Sequence, residues 1–216
     1  MPLPFAIYCS GGATSLQAIY NSTLNREKIM PGLVIYDGQD EDTLQKLDSL
    51  FGEILEVFNP SVFEEKLQPK PHTMVSLFIE QKMKAYGIER LICIGEKILK
   101  KQLIEAFPKG LINIHPALLP SFKGLKAIDQ ALATGVSFLG ITAHYIDQGI
   151  DTGPIVAQVA MFREDFEDYP DVTELNGALL KLILRDWANI SLSRTEITHE
   201  LKNRNKPYFL PQKGRF

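Results

Sequence analysis

The sequence predicts an α/β protein built on a doubly wound sheet. Two observations carry this: short apolar, β-branched runs recur along the chain, and longer stretches of helical period lie between them. A third bounds it. With 216 residues, 45% hydrophobic and 23% charged, the chain has enough apolar material for one core, and the classes of disordered, collagenous and membrane-spanning chains are excluded.

The elements follow in order. Residues 5–9 are the first strand. The segment before them lacks a charged n-region and meets a Ser-Gly-Gly turn too early for a secretory signal. The remaining strands are expected at 32–36, 54–58, 90–94, 111–114, 140–146 and 154–162, which makes seven. Period and flanking caps place helices at 14–21, 40–51, 72–86, 99–107, 125–134 and 172–192. The last two strands differ from the others, because 140–146 alternates and only a short Asp-Gln-Gly-Ile-Asp-Thr-Gly stretch separates it from the next. The charged stretch 163–168 reads as a solvated connector, and the aperiodic tail as either a packed extension or a mobile end.

Charge and cysteines narrow the partners. A net charge of -3 from 23 basic and 26 acidic residues provides no basic field for nucleic acid. Cys9 and Cys93 lie singly in apolar runs without metal-like spacing, so buried thiols in a reducing, cytoplasmic compartment are expected, with no metal and no membrane partner.

Three constellations can carry chemistry. After the first strand, Ser10-Gly11-Gly12-Ala13-Thr14-Ser15 opens a helix; it is either an anion cradle or a turn that needs glycine dihedrals, and it is neither a Walker loop nor a full GxGxxG. At the end of the fifth strand, Asn113-Ile114-His115-Pro116 puts a carboxamide and an imidazole two residues apart, hence on one face, where the prolines stop the strand. Read alone, His115 is equally a satisfied structural histidine, and His144 a core histidine with one hydrogen bond. The third is Asp147-Gln148-Gly149-Ile150-Asp151-Thr152-Gly153, where turn chemistry explains most residues if the loop is judged by itself. Together they form the minimum set for moving an acyl group onto an amine. Asn113 donates to a carbonyl oxygen as charge develops there, His115 adds a second donor or relays a proton, and Asp151 orients the ring or takes the amine proton through water.

The stretches Asn-Ile-His-Pro-Ala-Leu-Leu-Pro-Ser-Phe-Lys-Gly and His144-Tyr145-Ile146-Asp147-Gln148-Gly149-Ile150-Asp151-Thr152-Gly153-Pro154-Ile155 closely resemble the phosphoribosylglycinamide formyltransferase family. The resemblance implies a Rossmann-like, mostly parallel sheet with helices on both faces and an antiparallel last strand. It implies 10-formyltetrahydrofolate as formyl donor, a small primary amine as acceptor, and Asn113, His115 and Asp151 as the catalytic trio supported by His144. Gly11, Gly12, Ala13, Thr14 and Ser15 match the family's substrate-phosphate loop. Lys97, Ile98 and Leu99 with Ile146, Asp147, Gln148, Gly149 and Ile150 match its pterin pocket. The chain then reads as one domain over 1–216, with a phosphate-loop half (1–110), a catalytic half (111–200) and a tail (201–216), as a monomer or homodimer.

Four departures bear on the acceptor. Ala13 stands for a usual glycine and Ser15 for a usual asparagine. Lys97 stands for an arginine in a stretch one residue shorter, and Leu180 for a glutamate toward the ribose, unless Glu174 takes that place by a shift. Glycinamide ribonucleotide is the acceptor the resemblance implies. An amino sugar on a nucleotide is a second acceptor class, and a folate-binding module without turnover a third reading.

Overall fold

The computed structural model describes residues 3–21, 29–60, 71–165, 169–187 and 208–209. In chain order the elements are β1 (Ala6–Cys9), α1 (Thr14–Ile19), β2 (Leu33–Tyr36), α2 (Glu41–Phe51), β3 (Leu55–Val57), α3 (Pro71–Ala85), β4 (Leu91–Ile94), α4 (Lys101–Ala106), β5 (Leu111–His115), α5 (Ala127–Ala133), β6 (Phe138–Tyr145), β7 (Ile155–Phe162), α6 (Tyr169–Trp187) and β8 (Tyr208–Phe209). They form one sheet in the order β3-β2-β1-β4-β5-β6-β7-β8. The strands from β3 to β5 pair in parallel. From β5 through β8 every pairing is antiparallel.

All seven expected strands form, with ends within about two residues of the expected ones, as is usual for element boundaries. The eighth comes from the tail: Tyr208 lies opposite Met161 and Phe209 opposite Ala160, so at these two residues the tail is an extension of the sheet. Residues 166–168, within the expected connector, and 188–192, within the last expected helix, lie outside the described residues.

Period-2 alternation divides the apolar side chains between two faces. Ile7, Val34, Ile92, Ile112, Ile114, Ile141 and Val159 join one buried cluster with α1 and α6, while Ala6, Leu33, Ile35, Leu91, Cys93 and Leu111 join the other with α3 and α4. By the same alternation Asn113 and His115 lie on the α3–α4 face. So do Thr142 and His144 of β6, whose neighbours Ile141 and Ala143 face the opposite cluster. A polar window therefore interrupts an otherwise aliphatic sheet, at its centre and beside the crossover between β1 and β4, where open α/β sheets place ligands.

Helix starts follow local chemistry. Asp40 caps α2, its carboxylate accepting from the Thr43 N–H at 2.9 Å and the Thr43 hydroxyl at 2.6 Å, and these bonds hold its carboxyl below its ordinary range. α4 begins at Lys101 rather than 99: Lys100 is extended (φ -93°, ψ 155°) and stands as its N-cap, and the amides of Ile98 and Lys100 are held by α3 side chains. Among the described residues, no helix is long and apolar enough to cross a membrane.

Candidate active site

The site forms where β5, β6 and the loop between β6 and β7 meet. Asn113 and His144 are register partners on adjacent strands, and the Asn113 Nδ2 lies 3.2 Å from the His144 Nε2. A register shift between Ala143 and His144 in the pairing with β7 falls beside the site, as such irregularities commonly do. The loop after β6 then folds back over the sheet, tied by the Ile146 N–H to the Leu111 carbonyl at 3.0 Å and by the Tyr145 N–H to the Pro154 carbonyl at 2.9 Å. Within it the Asp147 carboxylate accepts from the Gly149 N–H at 3.0 Å and the Thr152 hydroxyl at 2.7 Å, so Asp147 builds the turn.

That turn delivers Asp151 in a left-handed conformation, φ 51°. One carboxylate oxygen lies 3.3 Å from His115 Nδ1, and the other 3.4 Å from His144 Nε2. The first oxygen also accepts the Gly124 N–H at 2.8 Å. Burial, the largest single influence, raises the Asp151 carboxyl; the His144 hydrogen bond, the Gly124 N–H and the two imidazole charges together outweigh it and hold it below its ordinary range. The side chains of His115 and His144 are 5% and 4% exposed and that of Asp151 12%, so the carboxylate is the most open of the three.

Hydrogen-bond accounting assigns the ring protons. His115 Nε2–H donates to the Phe122 carbonyl at 2.8 Å, which leaves Nδ1 as the ring nitrogen that faces Asp151. His144 Nδ1–H donates to the Tyr145 carbonyl at 2.9 Å, so in the neutral ring Nε2 accepts from Asn113; protonated, it donates to Asp151. One Asn113 amide hydrogen is used in that contact. The second can meet a substrate oxygen.

Positive φ angles at Phe122 (57°), Gly124 (80°) and Lys126 (55°) shape the loop whose carbonyl and N–H hold His115 and Asp151. Thr142 anchors the loop's start: its hydroxyl donates to the Ala117 carbonyl at 2.7 Å and accepts the Leu119 N–H at 3.0 Å, while Gln158 reaches the Leu119 carbonyl at 2.9 Å. Thr142 and Gln158 escaped the sequence reading, and Phe122 and Gly124 entered it only as part of the resembling stretch, with no role given. Thr142 carried a signal, its place two residues before His144 on an alternating strand.

The glycine loop is fixed by tyrosines. The Tyr36 hydroxyl donates to the Gly11 carbonyl at 2.7 Å, and Ser10 Oγ, 3.3 Å from the Tyr8 hydroxyl, accepts the Glu96 N–H at 2.9 Å. Gly11 and Ala13 both have positive φ, 57° and 48°, and Gly12 and Thr14 are exposed while Ser15 is half-buried. The Ala13 methyl belongs to the buried cluster, so it points away from the loop's outer rim rather than crowding it. The Glu96 carboxylate lies against Gly11, an oxygen 3.4 Å from where a Cβ there would stand.

Lys97 turns toward the Asp37 carboxylate at 3.9 Å, which also accepts the Tyr8 hydroxyl at 2.8 Å. Leu99 is part of the core beneath α3, so its main chain alone remains for a ligand, whereas Ile98 is 49% and Ile150 56% exposed; Ile146 is half-buried, and Gln148 and Gly149 are exposed. Leu180 is buried among aliphatics, and the side chain of Glu174 lies outside the described residues. Among the described residues, no group of three or more His, Cys, Asp or Glu is arranged to hold a metal ion.

The pattern of the formyl transferase family matches residues 4–168, from just before β1 to beyond the end of β7. The chain belongs to the formyl transferase family. This formyltransferase is 32% identical over 160 residues to the phosphoribosylglycinamide formyltransferase of Bacillus subtilis, covering 73% of this chain and 78% of that one. It is 30% identical over 159 residues to the human trifunctional purine biosynthetic protein adenosine-3, matching 72% of this chain but 15% of that much longer one. Among solved structures, glycinamide ribonucleotide transformylase 1 from Symbiobacterium toebii superposes with a TM-score of 0.72 at 27% identity, over 89% of this chain and 92% of that one. Its Geobacillus kaustophilus counterpart gives 0.71 at 26%, over 87% and 100%.

Proposed function

We propose that this formyltransferase moves the formyl group of 10-formyltetrahydrofolate onto the primary amine of glycinamide ribonucleotide, a step of purine biosynthesis, in a cytoplasmic compartment. The observation that supports it is the convergence of Asn113, His115, His144 and Asp151 within a chain of contacts of 3.2 to 3.4 Å. Glycinamide ribonucleotide is the acceptor because the relatives that match most of this chain act in its formylation.

The donor supplies a formyl carbon already attached to a good leaving nitrogen. Its fused ring suits the two segments that carry exposed isoleucines, Ile98 and Ile150. The Asn113 N–H then donates to the formyl oxygen as negative charge builds there, a contribution of about 3 kcal/mol for one well-placed donor. The amine must lose a proton as it bonds to carbon. Asp151, held ionised, receives it directly or through water, or steadies it on His115 Nδ1. The same residues return a proton to the departing nitrogen. The Ser10–Ser15 turn, with Gly11 and Gly12 exposed, receives the acceptor's phosphate.

The test is tetrahydrofolate release with glycinamide ribonucleotide and, in parallel, with nucleotide-linked amino sugars, on wild type and Asn113→Ala. Turnover with the first acceptor alone, reduced about 100-fold or more in the variant, is expected. Turnover confined to the amino sugars, or folate binding without turnover, would overturn the proposal.

A further inference from the structure

Residues 95–100 carry the chain from β4 to α4 outside any helix or strand, yet alternate amides along them are each held by a side chain from elsewhere. The Glu96 N–H donates to Ser10 Oγ at 2.9 Å, the Ile98 N–H to His72 Nδ1 at 3.0 Å, and the Lys100 N–H to Ser76 Oγ at 2.9 Å. The Ser76 hydroxyl donates in turn to the His72 carbonyl at 2.7 Å, so both α3 anchors belong to one hydrogen-bonded turn of that helix. The segment is thus held as a strand is, with three side chains in place of a neighbouring backbone. Leu99 is drawn into the core and Ile98 is left facing outward.

His72 is the middle anchor. Because its Nδ1 accepts, the ring carries its proton on Nε2 and its bond to Ile98 has a fixed direction. We propose that His72 is a positioning residue for the formyl donor: it fixes the Ile98 main chain so that the Ile98 side chain, left outward, is presented to the folate ring. This rests on the reading of residues 97–99 as part of the donor site. The bond lies near the surface, so water can satisfy the amide once the imidazole is gone, and stability changes little. What is lost is order. A segment left loose must be ordered by the donor when it binds, and that penalty falls on donor affinity, since the described contacts of His72 reach the segment and its own helix, not Asn113, His115 or Asp151.

The experiment uses the full chain with 10-formyltetrahydrofolate and glycinamide ribonucleotide, and compares wild type, His72→Leu, His72→Asn and Ile98→Ala. Leucine keeps bulk and removes the acceptor; asparagine keeps an acceptor oxygen near the Nδ1 position. His72→Leu should raise the donor KM about 3- to 10-fold, the worth of one ordinary hydrogen bond, with kcat, the acceptor KM and Tm nearly unchanged, and His72→Asn should recover most of the loss. Ile98→Ala should raise the donor KM by itself. If Ile98→Ala raises it and His72→Leu does not, the positioning role is wrong and the donor site stands. If neither changes it, the donor site is misplaced and the proposal falls with it. Equal losses of kcat and Tm in His72→Leu, without recovery by asparagine, would reduce His72 to a structural part and overturn the proposal as well.

Discussion

Replacing Asp151 by asparagine keeps size and shape but removes the charge that faces both imidazoles. A protonated ring at 3.3 or 3.4 Å from a carboxylate gains about 5 kcal/mol at an effective dielectric of about 20. Solvent at the partly open carboxylate and the hydrogen bonds an amide can still make reduce the loss, to about 3 kcal/mol, or roughly two factors of ten in rate. Asp151→Asn should therefore lower kcat about 100-fold or more and leave both KM values within a few-fold, read from single-turnover release of tetrahydrofolate. The same variant has a signature in stability. The Asp151 carboxyl is held below its ordinary 3.8, so its contribution is complete above that value and is lost as pH falls through the lowered one. Wild type should lose stability in this acid window, and the asparagine variant should lack that part of the loss. A variant that keeps more than a tenth of the wild-type kcat would refute the argument, because the carboxylate would then carry no developing charge.

Three further outcomes follow from single contacts. Glu96 is exposed and its carboxylate lies against Gly11, so if the acceptor's phosphate binds the glycine loop, Glu96→Gln should lower the acceptor KM about 2- to 5-fold by removing a like charge; an unchanged KM would place the phosphate elsewhere. Burial pushes both thiols up, that of Cys93 to about 12, so the folded enzyme should be nearly inert to an aromatic disulfide reagent and react at two thiols only once unfolded. A Cβ at Gly153 would run into the Tyr145 carbonyl, which is backbone and cannot turn aside. Gly153→Ala should then cost about 1–3 kcal/mol in urea unfolding and displace Asp151 with loss of activity, whereas Gly12→Ala, with its nearest neighbour at 3.8 Å, should keep its stability.

The fold was legible because the central parallel strands are buried on both faces and their composition reports that directly: apolar runs such as Leu33–Tyr36 and Leu91–Ile94 have one plausible structural fate. Asn113 and His115 were legible for a related reason, since two polar side chains at period 2 within an aliphatic strand must share a face. What the sequence could not report is which backbone groups those side chains meet. The Phe122 carbonyl and the Gly124 N–H reach the site through left-handed backbone in a loop where only one of the two residues is glycine. His72 was legible only as the first residue of the helix expected at 72–86. Nor can sequence alone tell on which side of a turn the Ala13 methyl lies; here it faces the core.

The reversal of β6 is what makes the trio possible. Because β6 runs antiparallel to β5, it ends next to the start of β5, and the loop from there to the adjacent start of β7 folds out over the polar face and returns. Asp151 meets His115 on that return. Its left-handed φ of 51° is the strained part, a conformation that disfavours a side chain by about 1 kcal/mol or more and suits glycine. A glycine there would relieve the backbone and abolish the carboxylate's contacts to His115, His144 and Gly124 together. Asp151→Gly should accordingly be far more harmful to turnover than to folding, the reverse of what a purely structural turn residue would give.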